Sequence, residues 1–144
     1  MSNSFEKFEK AVHDIRIAAR FNELAQLSDG WLDGGGEKFD TDELNWLKVV
    51  VLDVFNDMVL VPFIYPTPEG SVLLEWPYLY GMPSLDVDII NKTGRWHSIY
   101  TIPDELDFDV DLSKKETWSR VVKEIEFAFF SSSGFSKLTG FNPQ

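Results

Sequence analysis

The seven residues Leu106-Asp107-Phe108-Asp109-Val110-Asp111-Leu112 alternate apolar and acidic side chains without a break. A period of two puts successive side chains on opposite faces of a strand, so such a run buries one face and wets the other. The stretch reads as an antiparallel strand with Leu106, Phe108, Val110 and Leu112 inward and Asp107, Asp109 and Asp111 outward. The pattern recurs upstream, where Leu85, Val87 and Ile89 alternate with Asp86 and Asp88. Asn91-Lys92-Thr93-Gly94 turns the chain, and Trp96, Ser98, Tyr100 and Ile102 make the next inward row. Further back, Phe63-Ile64-Tyr65 and Ser71–Trp76 flank Pro66-Thr67-Pro68-Glu69-Gly70, a hairpin joined by a five-residue loop. The sheet spans about residues 59–112 and holds four or five strands.

On either side of it the period becomes helical. Phe5, Phe8, Val12, Ile15 and Ala19 follow a 3-4-3-4 spacing, one stripe of a helix over about 4–27. Ile17, Phe21 and Leu24 lie on another side, so this helix either bends near Ala18–Arg20 or is covered twice. Asp40 with Glu43 makes a capping box, and Leu44, Leu47, Val51, Val54, Phe55 and Met58 carry a helix over about 40–56. The β-branched Val49-Val50-Val51 argues against a helix there, but the cap and the spacing outweigh it. Ser113 with Glu116 is a second box. Behind it Trp118, Val121, Val122, Ile125, Phe129 and Phe130 form a broad apolar face to about residue 130, where Ser131–Gly134 ends the helix. The expected fold is α+β: two N-terminal helices, an antiparallel meander, and a C-terminal helix packed on one face of the sheet.

At 144 residues the chain reads as a single domain, 1–144. With 44% hydrophobic and 15% aromatic residues it can build a core without staples. It has no cysteine, which excludes disulfides, thiolate metal sites and cysteine nucleophiles and fits a reducing cytoplasm. Residues 1–10 are polar, unlike a signal peptide, and no apolar run approaches the ~20 residues needed to cross a bilayer. The net charge of −11 repels nucleic acid and anionic lipid and favours a basic protein or a metal ion as partner.

Two segments together, Gly30-Trp31-Leu32-Asp33-Gly34-Gly35-Gly36 and Tyr65–Trp76 (Y-P-T-P-E-G-S-V-L-L-E-W), resemble a scattered group of small uncharacterised bacterial proteins. In that group a Trp-Asp-Gly-rich loop precedes a helix and a P-T-P-E-G-G-V-x-x-E-W hairpin. The resemblance implies a bacterial or phage-type origin and an α+β fold, and brings no activity with it. Ser71 stands where the group usually has a second glycine, which implies a tolerant turn.

Four places invite a functional reading. The loop Asp29–Asp40 offers acids at several positions of a calcium loop, but Trp31, Gly36 and Asp40 break the pattern at its third, eighth and twelfth positions. Its glycines suggest a phosphate cradle, yet no Lys-Ser or Lys-Thr follows and acids surround it. The bland reading is a flexible joint with Trp31 and Leu32 folded onto the core. On the sheet, a tight Asn91–Gly94 turn sets Asp88 opposite His97 and Asp86 opposite Ile99, with Glu75 on the same side. Glu75, Asp88 and His97 then form a candidate metal or acid–base group, weighed against a simple cross-strand ion pair. His13 reads as a surface residue. The outward rows Asp86, Asp88, Asp107, Asp109 and Asp111 suit a basic partner, with Trp76, Tyr78 and Tyr80 as aromatic anchors. Their plainer role is solubility and protection of a sheet edge. No serine sits in a nucleophile elbow. The leading expectation is an acidic, non-catalytic inhibitor, antitoxin or immunity-type protein with no cofactor. A metal-dependent protein is the alternative, and a homodimer burying its helix faces is a further possibility.

Overall fold

Five strands form one antiparallel sheet in chain order: β1 (Phe63–Pro66), β2 (Val72–Glu75), β3 (Ser84–Asp88), β4 (Thr93–Ser98) and β5 (Leu106–Asp111). The computed structural model describes residues 4–55, 60–99 and 106–138, with backbone alone at 106–108 and 133–138. Helices α1 (Ser4–Ala25) and α2 (Thr41–Val54) precede the sheet and α3 (Lys115–Leu138) follows it. The chain is therefore α+β, and every strand pairs with its neighbour in sequence, as short turn-rich connections favour. The expected positions Asn56, Met58, Val59, Tyr100, Ile102 and the segment after residue 138 lie outside the described residues.

Where side chains are described the inward rows are those the alternation foretells; the side chains of Leu106 and Phe108 lie outside the described residues. Ile64, Leu74, Leu85 and Trp96 face one another across β1–β4, and all are buried. Beside them Val72 and Val87 align with Gly94 of β4. A Cβ on Gly94 would stand 2.7 Å from Leu112 Cδ1 and 2.9 Å from Leu85 Cδ1, so the missing side chain leaves room for both leucines. An aromatic chain links β4, the residue after β2, the end of α2 and α3: Trp96 lies 6.2 Å from Trp76, Trp76 lies 5.4 Å from Phe55, and Phe55 lies 6.4 Å from Trp118. Trp118 of α3 also donates its indole N–H to Leu112 O at 2.8 Å. Trp118, Val121, Ile125 and Ala128 belong to the same buried cluster as the sheet residues and as Leu44, Leu47 and Val51 of α2.

The helices depart from the sequence reading in instructive ways. The face of α1 that enters the core is His13, Ile17, Phe21 and Leu24, whereas Phe5, Phe8 and Ile15 point outward. The core-facing stripe is the less apolar one, because its polar member finds a partner: buried His13 places Nε2 3.3 Å from Phe55 O. His13 is thus an interior residue and not a surface one. At α2 the N-cap is as expected, since Asp40 Oδ1 accepts the N–H groups of Asp42 and Glu43 at 3.0 and 3.1 Å. The reciprocal half of the box is absent: Glu43 turns instead to Lys92, 3.0 Å away. Val49–Val51 stays helical, with Val51 wholly buried.

The second expected box does not form. Ser113 donates both its N–H and its hydroxyl to Asp111 Oδ1, at 3.0 and 2.6 Å, and α3 starts two residues later. Nor does the serine run end α3. Ser132 Oγ donates to Ala128 O at 2.8 Å and accepts the Tyr80 N–H at 2.6 Å, so a residue that favours turns is satisfied within the helix.

Candidate functional site

The outward face of the sheet is built by register. One row runs Phe63–Glu75–Ser84–His97–Asp107, the next Tyr65–Leu73–Asp86–Arg95–Asp109, and a third includes Asp88–Thr93–Asp111. His97 therefore lies opposite Ser84, not Asp88, and Asp86 opposite Arg95, not Ile99. The turn is made by Ile89–Lys92 and not by Asn91–Gly94. Its cause is the Asp88 carboxylate, which accepts the N–H groups of Ile90 and Asn91 at 3.0 Å each and the Asn91 side-chain amide at 2.8 Å. An aspartate that bonds the backbone two residues on starts a turn by itself, and here it overrides the Asn-Lys-Thr-Gly signal.

This register separates the candidate metal group. Glu75 and His97 have Ser84 between them, about 10 Å at two strand spacings. Asp88 sits four residues from Ser84 along β3, roughly 13 Å. Among the described residues no cluster of three or more His, Asp or Glu side chains is placed to hold a metal ion. The Asp29–Asp40 loop is likewise occupied with its own backbone. Asp33 and Gly34 both have positive φ (49° and 91°), and Leu32 and Gly35 exchange two 2.8 Å hydrogen bonds around them. That is a two-residue turn of the kind Asp-Gly favours, closed further by Gly30 N–H to Gly36 O at 2.8 Å. Asp29 accepts the Lys38 N–H at 2.8 Å and Asp40 caps α2, so two of the expected ligand carboxylates hold the chain. Leu32 is exposed rather than folded inward, while Trp31 spans the loop and donates to Glu37 O at 3.2 Å.

The aspartates of the outward rows have unequal roles. Hydrogen bonds from the Asn91 N–H, its side chain and the Ile90 N–H hold the Asp88 carboxyl below the ordinary carboxylate range. The Ser113 hydroxyl, then its N–H, with Lys114 nearby, do the same for Asp111. Both are turn-formers. Asp109 meets Arg95 at 3.5 Å, with both side chains mostly in solvent, a pair worth little in stability. Asp86, also exposed, has no partner among the described residues. The side chain of Asp107 lies outside the described residues. Ser71, Asp86, Asp88, Arg95 and Asp109 line a shallow depression of about 440 Å³ on this face.

The lowered Asp88 carboxyl has a consequence in acid. Its bonds contribute stability above the unfolded carboxylate value near 3.8, and that contribution is lost as pH falls through the lower folded value. Asp88→Asn should therefore lower stability slightly at neutrality, where the charged bonds contribute, leave it nearly unchanged in acid, and so flatten the acid limb, a small effect because the group is well solvated. Urea midpoints across the acid range measure it, and an unchanged acid limb in the variant would contradict it.

The aromatic anchors are not those expected. Trp76 is wholly buried, with its indole N–H donated to Leu60 O at 2.6 Å, so it is core and no contact surface. Tyr80 is half-buried and held to α3 through its N–H. Tyr78 is 48% exposed and donates its hydroxyl to Val61 O at 2.7 Å, and partial burial raises the pKa of its phenol. It belongs to a cluster with Phe63 and Tyr65, which are 51% and 41% exposed. The Phe63 ring lies 6.4 Å from Tyr65, stacked, and 6.2 Å from Tyr78, edge-on. Arg20 reaches the β1 edge from α1, giving Nε–H to Ile64 O at 2.7 Å and lying 5.9 Å over the Tyr65 ring. Phe63 and Tyr65 were legible as outward residues, since Ile64 between them is the inward one. The outward face thus runs from aromatic rings on β1 to carboxylates on β3–β5.

A larger groove of about 760 Å³ separates α2 from α3, floored by Trp46, Val50, Val54, Trp118 and Val122, and it contains none of these residues. No described helix is long and apolar enough to cross a membrane. Comparison of the chain with known protein families, with curated proteins and with solved structures finds no match.

Proposed function

We propose that this chain is a non-catalytic, acidic binding protein of the inhibitor, antitoxin or immunity type, which masks a basic protein with the outward face of its sheet. The observation that carries the reading is the meeting, on one face, of the exposed rings Phe63, Tyr65 and Tyr78 with the exposed carboxylates Asp86 and Asp109. Rings of this kind supply most of the energy of an interface, and charges at its rim set the rate and choice of encounter. The charge of −11 steers a basic partner in and turns nucleic acid and anionic membranes away. The work is done in the cytoplasm, the compartment a cysteine-free chain fits.

The test is capture from the native host with three baits: the natural chain, Asp86→Lys/Asp109→Lys, and Phe63→Ala/Tyr78→Ala. The natural chain should retain a basic protein that salt elutes. Each double variant should bind it at least about tenfold more weakly, the size expected when a buried ring or a complementary charge pair is lost. Failure to retain a basic protein, or retention indifferent to both variants, refutes the proposal.

A further inference from the structure

The outward stripe of α1 is a seam in search of a partner. Phe5, Phe8, Val12, Ile15 and Ala19 recur at alternating steps of three and four, the a and d positions of a heptad. Phe5, Phe8 and Ile15 are 65%, 64% and 66% exposed, while the opposite face of the same helix holds buried Ile17, Phe21 and Leu24. The helix therefore has two apolar faces and the domain covers one. Large side chains repeated along a wet helix face gain nothing for the monomer.

Charge identifies the occupant. The chain carries −11, yet residues 4–19 balance Glu6, Glu9 and Asp14 against Lys7, Lys10 and Arg16. A locally neutral helix on an acidic protein can approach a copy of itself. Orientation follows from the flanking positions. Beside the seam lie Glu9 and Arg16 on one side and the small Ala11 and Ala18 on the other. Parallel pairing would set Glu9 and Arg16 against Ser4 and Ala11, uncharged neighbours. Antiparallel pairing in one register sets Phe8 against Ala19 of the second copy, Val12 against Ile15, and Glu9 against Arg16, each twice by symmetry. The same register brings Ala11 beside Ala18, allowing close approach. The alternative antiparallel register, one heptad along, opposes Glu9 to Glu9. Neither Glu9 nor Arg16 has an ion-pair partner among the described residues.

We propose that α1 is a dimerisation helix, and that two copies of this chain pair antiparallel through Phe8, Val12, Ile15 and Ala19 with Glu9–Arg16 pairs along one flank. Arg16 borders the depression that holds Phe63, Tyr65 and Tyr78, whereas Phe8, Val12, Ile15 and Ala19 do not line it, so Phe8→Glu tests this inference independently of the partner reading. Sedimentation of the full chain over a wide concentration range should show a two-chain species. Phe8→Glu should leave helicity and melting unchanged and abolish the dimer. Arg16→Glu or Glu9→Arg alone should weaken it by about tenfold, and the double exchange Glu9→Arg/Arg16→Glu should restore it to within about threefold. A chain that stays monomeric at every concentration overturns the proposal. So does a dimer indifferent to Phe8→Glu, or one that the double exchange fails to restore.

Discussion

Trp76→Ala should cost this protein a large part of its stability, and Tyr78→Ala, two residues on, should cost little. Trp76 is fully buried and touches Phe55 and Trp96, rings contributed by the end of α2 and by β4. Truncating a buried tryptophan typically costs about 3–5 kcal/mol, because the cavity closes only in part. Leu60 O also loses the donor 2.6 Å away, about 1–3 kcal/mol more if no water replaces it. A domain of this size holds roughly 5–15 kcal/mol in all. The melting temperature should fall by roughly 8–30 °C, at about 2–4 °C per kcal/mol. Trp76→Phe, which keeps a ring and loses the N–H, should lie between. Tyr78 is half in solvent, so its loss should cost no more than about 1 kcal/mol in stability while weakening partner capture. Calorimetry of the three variants decides the matter. A Trp76→Ala protein melting within a few degrees of the natural one would show that this ring does not tie β4 to the end of α2.

The contrast between these two residues shows which parts of the structure were written locally in the sequence. Strict alternation made the inward rows of β3 legible, because period two leaves no other reading of Leu85-Asp86-Val87-Asp88. It also held the answer for Phe63-Ile64-Tyr65, where one buried isoleucine puts its neighbours on the wet face. Trp76 ends the alternating run from Val72, and its even position already placed it on the inward side with Leu74. Trp76 and Tyr78 are close in sequence yet differ in environment, one buried and one exposed.

What local pattern could not decide was any competition between two signals. Asp88 and Asn91–Gly94 both promise a turn, and the carboxylate takes it, shifting the register so that Asp86 lies opposite Arg95. Asp111 and Ser113 both offer a start for α3, and each is spent on the other. On α1 the stripe with more aromatic surface loses the core to a stripe that includes His13, because Phe55 O supplies what the imidazole needs. Only the last outcome depends on an acceptor brought from elsewhere in the fold; the first two are settled between residues two or three apart, where one local signal outcompetes another. The site depends on register most of all: a turn at Asn91–Gly94 would gather Glu75, Asp88 and His97, and the turn at Ile89–Lys92 separates them.

Gly36→Ala should be the most damaging single-methyl change in the loop between α1 and α2, and its cost should depend on Trp31. Gly36 has φ 90°, where an L side chain is strained by about 1–2 kcal/mol. Its Cβ would also stand 2.6 Å from Trp31 Nε1 and 2.7 Å from Cε2, so the indole must leave its place across the loop. Moving it breaks the hydrogen bond to Glu37 O, worth about 0.5–1.5 kcal/mol. The total comes to about 1.5–3.5 kcal/mol. Gly34 is the internal control: its φ is 91°, yet nothing lies within 4 Å of its Cβ position. Gly34→Ala should therefore show the backbone cost alone. In a Trp31→Ala background the two glycine substitutions should become equal, because the clash is gone and the strain remains. Denaturant midpoints of the four single and double variants measure this. Equal costs with Trp31 present would mean that the indole does not rest on Gly36. Unequal costs without it would assign the difference to the backbone. Either way the thirteen residues from Ser28 to Asp40 are tested as a closed miniature hairpin whose glycines serve conformation and contact, with Asp29 and Asp40 fastening its ends.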